Sequence, residues 1–260
     1  MIQKNIIIIS DYGAGDPAFL EVILRIKSLI PNSYFYSQSV PPFSTISTGF
    51  WIKQVSISPK LKNTYIFSNT APRKHDKKEQ KNNHGEYLMY IKLKNGLEIM
   101  AVNSGYNLSF IKGEIKSLHE VKVKNEGSQF RSRDFYPQAV ALMIKGNKNF
   151  IGKKEDVSVI PDYPTNVIAS IDGYGNIKTT LRLSQIKLDP GQPVVIEIND
   201  QKHLATYTDG VFNIKDGELA LAPGSSGDND RFMEFFVRSG NAYKLFEEPQ
   251  VETEFIIKKA

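Results

Sequence analysis

The order of the secondary-structure patterns predicts an α/β protein with two domains. Strand and helix patterns alternate along the first part of the chain, the order that builds a mostly parallel central sheet. Two closely spaced prolines, Pro161 and Pro164, mark a linker. Beyond it, short strand patterns separated by Gly, Asp and Asn turns predict a smaller, antiparallel, barrel-like β domain. We expect an N-terminal α/β domain over residues 1–157, a linker over 158–166 and a C-terminal β domain over 167–260.

The first two elements carry strong local signals. Residues 6–9 are all isoleucine, a run typical of a strand covered on both faces. Asp16 suits the N-cap of a helix and Pro17 its first residue, so a helix is expected to begin there. Apolar residues recur at helical spacing up to Ile30, and Pro31 ends the pattern.

The later elements follow from shorter patterns. In the N-terminal domain we predict a strand over 34–36, a helix over 45–53 and a strand over 65–68. Asn95-Gly96 is a turn that favours a hairpin between strands over 87–92 and 98–102. In the C-terminal domain the expected strands cover 167–171, 194–198, 204–206 and 231–237.

The amino-acid composition excludes several kinds of reaction and binding site. The 260 residues contain no cysteine, which excludes disulfides, thiolate metal ligands and a cysteine nucleophile. The four histidines have no metal-ligand spacing, so no metal site is expected. No apolar run is long enough to span a bilayer and no signal-peptide pattern precedes the first strand. We therefore expect a cytoplasmic protein with no membrane partner.

The net charge of +5 raises the possibility of a nucleic-acid-binding protein. Much of the excess lies between Arg73 and Lys81, a polar, lysine-rich stretch more typical of a solvated loop than of a recognition surface. No helix-turn-helix, RNA-binding or zinc-finger pattern accompanies it. We expect no nucleic-acid partner.

Five segments, considered together, point to a family. They are Asp11-Tyr12-Gly13-x-x-Asp16, Val40-Pro41-Pro42-Phe43, Ala101-Val102-Asn103-Ser104-Gly105, the run from Phe130 to Pro137, and the run from Ile171 to Thr180. Their order and spacing resemble those of the S-adenosylmethionine (SAM) hydroxide adenosyltransferase family, which includes the chlorinating and fluorinating enzymes. The first segment differs from that family's Asp-(Phe/Leu)-Gly-x-x-Asp pattern by placing a tyrosine at Tyr12.

The resemblance implies an activity and an assembly. Family members displace methionine from C5′ of SAM with water, hydroxide or halide, use SAM as a substrate without a further cofactor, and form homotrimers with SAM bound between neighbouring subunits. It implies a SAM hydrolase that forms adenosine and methionine. The alternative is a non-catalytic protein that binds SAM or adenosine, and a halide-using 5′-halo-adenosine synthase ranks third.

The resemblance assigns four substrate-binding positions to the N-terminal domain. Asp11 would accept hydrogen bonds from the ribose hydroxyls, or else satisfy loop N–H groups. Asp16 would lie near the methionine end of SAM, although N-capping alone also explains it. Phe43 would pack beside the ribose or sulfur, or simply in the core. Asn103 belongs to the third segment.

The C-terminal domain would supply the remaining contacts, across the subunit boundary. Asp172 and Asn176 would hold the amino-acid part of SAM. Tyr174 would stack on adenine, although the same segment is also typical of a tight turn. Ser225 and Ser226 would contact the methionine carboxylate, and the backbone near Val237 and Ser239 would contact the adenine edge. These assignments cross an apparent insertion at 228–230.

Three positions implied to be catalytic depart from the family pattern. Asn69 stands where hydrolytic members have Asp, and Arg131 where they have His, so neither can take a proton from water at neutral pH. Arg131 suits an anion, or else a surface salt bridge. Ser132 stands where halogenating members have a serine facing the halide. His75 and His84 lie in the basic stretch and have no predicted place in the site. The retained substrate-binding segments favour hydrolysis over binding alone.

Overall fold

The structure is a computed structural model that describes residues 3–57, 62–70, 85–124, 126–210 and 213–260. The chain forms two compact units, Met1–Asp162 and Tyr163–Ala260, which we call the N-terminal and C-terminal units. Their boundary falls inside the segment 158–166, where the prolines predict a linker. The basic stretch from Arg73 to Lys81, together with His75 and His84, lies outside the described residues.

The N-terminal unit contains strands and helices in alternation at first, and mainly strands later. Its strands are β1 (Lys4–Ser10), β2 (Ser33–Ser39), β3 (Thr64–Asn69), β4 (Leu88–Leu93), β5 (Glu98–Val102), β6 (Ile115–Val121) and β7 (Ile151–Glu155). Its helices are α1 (Pro17–Leu29), α2 (Thr45–Ile57), α3 (Arg131–Asp134) and α4 (Tyr136–Ile144). Short 3₁₀ turns cover Ser109–Glu114 and Val157–Val159.

The sheet of this unit is mixed, which corrects the prediction of a mostly parallel sheet. The strand order is β2-β1-β3-β5-β4-β6-β7. Among the described residues, β1–β2, β1–β3 and β3–β5 pair in parallel, whereas β4–β5, β4–β6 and β6–β7 pair antiparallel. The physical reason is the tight turn at Asn95-Gly96, because a connection that short can join only antiparallel strands.

Apolar residues cover both faces of this sheet, as the isoleucine run at 6–9 predicts. Ile6 and Ile8 are fully buried in a cluster that includes Val22 of α1 and residues of α4. Ile9 points to the opposite face and joins a second cluster with Ile52 of α2. Helices therefore lie on both faces, the α/β arrangement that the element order predicts.

The helix predicted from Asp16 and Pro17 is present. Asp16 is the N-cap of α1 and its side chain accepts a hydrogen bond from the Ala18 backbone N–H at 2.8 Å. The buried face of α1 carries Phe19, Val22 and Ile26. The helix predicted over 45–53 extends further, to Ile57.

The C-terminal unit is built almost entirely of strands. These are β8 (Ile168–Ile171), β9 (Ile177–Arg182), β10 (Pro193–Ile198), β11 (Gln201–Tyr207), β12 (Leu219–Pro223), β13 (Phe232–Val237) and β14 (Phe255–Lys259). A 3₁₀ turn covers Leu183–Gln185 and the short helix α5 covers Ala242–Leu245.

Antiparallel pairing dominates this second sheet, in the order β14-β10-β11-β12-β13-β9-β8. Among the described strands only β11–β12 pair in parallel. The sheet curls, so that Val167 at one edge forms an isolated antiparallel bridge with Glu254 at the other. The prediction of a barrel-like domain therefore holds in the coarser form of a curled half-barrel.

No helix in the described ranges combines the length and the apolar character that a membrane crossing requires. In the same ranges no group of three or more His, Asp or Glu side chains is placed to hold a metal ion.

Candidate ligand site

The carboxyl ends of two parallel strands bring the predicted site residues of the N-terminal unit together. In the β1–β3 register, Ser10 lies opposite Asn69, the last residue of each strand. The Ser10 hydroxyl donates a hydrogen bond to the Asn69 carbonyl at 2.5 Å. Ligands of open α/β sheets bind at this edge, so Asp11 and Thr70, which directly follow the two strands, lie where a ligand is expected.

Tyr12 connects two of the predicted catalytic positions. Its hydroxyl accepts a hydrogen bond from Asn69 Nδ2 at 3.0 Å and shares a short hydrogen bond with the Ser132 hydroxyl. Its ring packs edge-on against Phe19 and Phe130, with centroids 5.2 and 5.8 Å away. Tyr12 therefore joins the loop after β1, the end of β3 and the start of α3. We call Ser10, Tyr12, Asn69 and Ser132 the Tyr12 cluster.

Burial controls the protonation of Tyr12. Desolvation raises the pKa of Tyr12 to about 12, although hydrogen bonds from Ser132, Ser10 and Asn69 oppose the rise. The nearby Asp11 carboxylate adds to it. The phenol therefore stays protonated at physiological pH.

The short helix α3 holds Ser132 in place through its neighbours. Ser132 is 3% exposed. The next residue, Arg133, pairs with Glu21 of α1 at 2.8 Å and with Asp134 at 2.7 Å. The Arg133 guanidinium also lies over the Phe130 ring, 4.7 Å from its centroid. These contacts fix α3 against α1, the helix that follows Tyr12 in the chain.

Asp11 joins the loops that follow β1 and β2. Its Oδ2 accepts a hydrogen bond from the Phe43 backbone N–H at 3.0 Å. Phe43 has a φ of 63°, in the left-handed region that non-glycine residues rarely adopt. The carboxylate therefore has the loop-ordering contact that the sequence leaves open as an alternative. Asp11 is half-buried, so it also faces solvent.

A layer of buried polar side chains lies beside this strand edge. The Thr48 hydroxyl donates to the Thr70 hydroxyl at 2.9 Å, and Asn107 Nδ2 donates to the Thr70 carbonyl at 2.7 Å. Other buried polar atoms of this region have no hydrogen-bond partner among the described residues: Ser68 Oγ, Ser104 Oγ and Asn107 Oδ1. Unsatisfied buried groups are rare in folded proteins and concentrate where a water molecule or ligand completes them.

Arg131 lies against the backbone that precedes β4. Its Nη1 is 3.5 Å from the Glu86 carbonyl oxygen. A Cβ atom added to Gly85 would overlap the same guanidinium, so a larger residue there would require the arginine side chain to shift. Arg131 is half-buried and thus partly accessible.

Asp16 and Asn103 have local backbone roles. Asp16 is exposed and caps α1, the alternative that the sequence leaves open for it. The Asn103 backbone N–H donates to the Tyr87 carbonyl at 2.9 Å, and the residue is half-buried directly after β5.

In the C-terminal unit, Asp172 organises the turn between β8 and β9. Its Oδ1 accepts hydrogen bonds from the Tyr174 and Asn176 backbone N–H groups, both at 3.0 Å. Its Oδ2 accepts from Asn176 Nδ2 at 3.1 Å and lies 3.3 Å from Lys178 Nζ. Both oxygens are thus occupied by groups of the same turn and strand.

A buried charge cluster lies next to this turn. Lys178 Nζ bridges Asp172 and Glu234 Oε2, the latter at 2.9 Å, and the side chains of Lys178, Asp172 and Glu234 are 16, 25 and 11% exposed, respectively. Burial by itself would raise the pKa of Asp172, but the bonds from Asn176 and Tyr174 and the charge of Lys178 outweigh it and hold this pKa below its ordinary value. Burial opposes the charge of Lys178, but Glu234 and Asp172 raise its pKa. We call Asp172, Lys178 and Glu234 the Lys178 cluster.

The other predicted residues of this unit differ in exposure. The Tyr174 side chain is 80% exposed, and its ring is accessible for stacking. Ser225 is exposed, whereas Ser226 is buried and its hydroxyl has no hydrogen-bond partner in the described part of the chain. Val237 ends β13, and Ser239 is exposed with a φ of 56°.

The loop that carries Ser225 approaches the Lys178 cluster through Gly224. A Cβ atom at Gly224 would lie 2.6 Å from Glu234 Oε2. The loop after β12 therefore borders the same charged side chains as the turn after β8.

Sequence reasoning missed Tyr12, Lys178 and Glu234 as parts of these clusters. Tyr12 and Lys178 lie inside the quoted segments but between the residues that carry the resemblance, and Glu234 lies within an apolar strand. The available signal was chemical: a tyrosine beside a strand end, and a charged residue in the middle of a buried strand, each need a polar partner when buried.

Comparisons with known proteins identify the fold class alone. An uncharacterized conserved protein from Thermotoga maritima has a similar structure, with a TM-score of 0.75 and 17% identity over 97% of this chain and all (100%) of that one. A conserved hypothetical protein from Thermus thermophilus matches with a TM-score of 0.68 and 13% identity, over 98% of this chain and 100% of its own. No protein-family model and no curated protein sequence matches the chain. The chain is therefore an α/β protein with two large mixed sheets, a fold that it shares along nearly its whole length with these two bacterial proteins.

Proposed function

We propose that this protein binds SAM and cleaves it at C5′ to adenosine and methionine. The observation that supports the proposal most is the Tyr12 cluster. Asn69 and Ser132, which the resemblance assigns to the chemistry, bond to one phenol although they lie 57 and 120 residues from it in the chain. They do so at the strand edge where α/β sheets bind ligands.

The proposed reaction needs little chemical assistance from the protein. The oxygen of water forms a bond to C5′ as the C5′–S bond breaks, and the electron pair of that bond stays on sulfur to give methionine. The water proton passes to solvent. Because the sulfonium is already a good leaving group, the protein contributes chiefly by holding the ribose, aligning water opposite sulfur and excluding other water.

Asp11 is proposed to hold the ribose. A carboxylate only accepts hydrogen bonds, which suits a vicinal diol. One of its oxygens already orders Phe43 at 3.0 Å, so the loop beside the ribose is fixed before the substrate arrives. Phe43 would then contact the ribose or the sulfur.

Water would be positioned rather than deprotonated. In the Tyr12 cluster the amide of Asn69 and the hydroxyls of Ser10 and Ser132 carry no charge near neutral pH, and burial raises the pKa of Tyr12 to about 12. General-base catalysis contributes about 10²- to 10⁴-fold where it operates. We therefore propose a slow hydrolase whose rate comes from alignment.

The same observation favours a second candidate, a protein that binds SAM or adenosine without turnover. The side chains of the Tyr12 cluster, all within the described ranges, include no group that takes a proton at neutral pH, and such a site retains its ability to bind a ligand. In that case the ordered Asp11–Phe43 loop and the exposed Tyr174 ring serve recognition alone.

The assembly and the role of the C-terminal unit are part of the proposal. Following the resemblance, we propose a homotrimer in which a neighbouring subunit contributes Tyr174 to the adenine and Asp172 and Asn176 to the amino-acid part. The Lys178 cluster carries one net negative charge, from two carboxylates and one ammonium, which suits the positively charged end of methionine. The proposal also includes contacts to the methionine carboxylate from Ser225 and Ser226, and to the adenine edge from the backbone near Val237 and Ser239.

The test is incubation of the purified protein with SAM, with and without chloride, followed by liquid chromatography and mass spectrometry of the products. We expect adenosine and methionine in equal amounts, independent of chloride, above the spontaneous breakdown of SAM. Incorporation of ¹⁸O from labelled water into adenosine confirms that water is the nucleophile.

Other outcomes would support one of the alternative functions. A chloride-dependent 5′-chloro-adenosine would identify a halogenating enzyme. Unchanged SAM together with calorimetric binding of SAM or adenosine would identify the non-catalytic protein. Unchanged SAM without binding would overturn both proposals.

A further inference from the structure

We infer that Tyr12 is a positioning residue whose hydroxyl sets the orientation of Asn69 and Ser132 for the reaction. The inference rests on the proposed function and adds to it a residue that the resemblance does not assign. In this role Tyr12 acts through these two side chains.

The geometry gives the Tyr12 hydroxyl little freedom. Edge-to-face contacts with Phe19 and Phe130 hold the ring, at 5.2 and 5.8 Å between centroids. The Ser39 hydroxyl bonds to the Tyr12 carbonyl and fixes the backbone of the same residue. The phenol oxygen is therefore held in a fixed position, and the flexible side chains that form hydrogen bonds with it are oriented by it.

Hydrogen-bond chemistry then determines how Asn69 is turned. An amide nitrogen can only donate, so Asn69 Nδ2 donates a hydrogen bond to the phenol oxygen at 3.0 Å. The Oδ1 atom of the same amide remains the acceptor that can take a hydrogen bond from a water molecule. Without the phenol oxygen the amide loses the partner that distinguishes its two ends.

Ser132 depends on the same oxygen. Its hydroxyl lies in a short hydrogen bond with Tyr12 and is 3% exposed, so this bond selects its rotamer. Burial keeps Tyr12 protonated, with a pKa of about 12, so the hydroxyl remains a hydrogen-bond donor and acceptor throughout the physiological range.

The test compares Tyr12→Phe with Tyr136→Phe. Both substitutions remove one phenol oxygen from the N-terminal unit, but the Tyr136 hydroxyl is buried without a hydrogen-bond partner among the described residues. We expect Tyr12→Phe to lower kcat for adenosine formation about tenfold or more with KM within about twofold, because alignment fails while binding remains. Tyr136→Phe should leave both parameters within about twofold. Thermal unfolding of both variants checks that the fold is retained.

A double-mutant cycle with Ser132→Ala separates positioning from a general effect on the fold. We expect the fold-losses in kcat of Tyr12→Phe and Ser132→Ala to be far from multiplicative, since both remove the same hydrogen bond. If the losses multiply, or if Tyr12→Phe turns over normally, the inference is overturned and the proposed function stands. If the unsubstituted protein produces no adenosine, the proposed function fails, and the positioning role fails with it.

Discussion

The two polar clusters, one in each unit, are built in opposite ways. The Tyr12 cluster in the N-terminal unit contains neutral side chains joined by single hydrogen bonds, near atoms such as Ser68 Oγ and Ser104 Oγ that have no partner in the described chain. The Lys178 cluster in the C-terminal unit contains three charges, and both oxygens of Asp172 are fully used.

This difference indicates what each region contributes. A network with every group satisfied rigidifies its surroundings, whereas unsatisfied polar groups lower stability unless a ligand completes them. Under the proposed function, the Tyr12 cluster therefore serves the ligand, whereas the Lys178 cluster stabilises the folded state. Substitutions in the former should affect function more than stability, and those in the latter the reverse.

The largest functional effect is expected from Asp11→Ala. Loss of the proposed ribose contact should reduce kcat/KM for SAM at least about 100-fold, whereas loss of one hydrogen bond to Phe43 should lower the free energy of unfolding by about 1 kcal/mol or less. Steady-state kinetics and chemical denaturation measure the two. Asp11→Asn is the matched control, because it keeps an acceptor for the Phe43 N–H. A variant that is strongly unstable but still active would show that Asp11 contributes to stability rather than to function. It would contradict the difference drawn between the two regions.

The largest effect on stability is expected from Lys178→Met. It leaves Asp172 and Glu234 buried without their shared counter-charge, at a cost of about 2–3 kcal/mol in the free energy of unfolding. Lys202→Met in the same unit provides the control, since Lys202 is 59% exposed and 3.7 Å from Glu197. Because Lys202 is exposed and the ion pair is long, its loss should change the free energy of unfolding much less than the loss of Lys178. Equal losses in calorimetry would show that burial does not distinguish the two pairs.

Low pH should destabilise the turn between β8 and β9, which Asp172 organises. The pKa of Asp172 is lower in the folded protein than its ordinary value, so its contribution to stability is present above about pH 4 and is lost as the pH falls through the folded-state pKa. Asp172→Asn cannot lose this contribution by protonation. We expect the stability difference between the original protein and Asp172→Asn to shrink below about pH 4 in denaturation experiments. A difference that stays constant down to about pH 2 would contradict the assignment.

The smallest effect on stability is expected from Tyr174→Ala. The side chain is 80% exposed, so its removal should change the free energy of unfolding by less than about 0.5 kcal/mol. Affinity for adenosine, measured by calorimetry, should nevertheless fall, because the proposed adenine stacking is lost. Unchanged affinity would leave this residue as a turn position only and would remove it from the proposed site.

Elements with strong local signals could be predicted from the sequence. The isoleucine run, the cap at Asp16 and the turn at Asn95-Gly96 each determine a short stretch through neighbouring residues, and all three are present in the structure. The first sheet was predicted as mostly parallel although the Asn95-Gly96 hairpin is itself antiparallel, and the other two antiparallel pairs involve β6 and β7, which were not predicted. Helix α4 was missed because it is short and mostly apolar, with Gln138 as its one exposed residue.

The site was predictable only in part, for a similar reason. Asn69 and Ser132 could be named from their segments, but their shared partner Tyr12 acts across 120 residues in one of its bonds, and no local pattern encodes such a contact. For Asp172 the segment pointed to substrate binding, while the structure shows its oxygens occupied by Tyr174, Asn176 and Lys178.

The bridge between Val167 and Glu254 has a consequence for the order in which the chain acquires its structure. During translation, the edge of β8 can meet its partner only after residue 254 has left the ribosome, whereas β1, α1 and β2 can assemble from the first 39 residues. Closing a loop of this length is entropically costly and slow. The N-terminal unit should therefore resist protease on stalled nascent chains well before the half-barrel does, because the half-barrel needs residue 254 to emerge first.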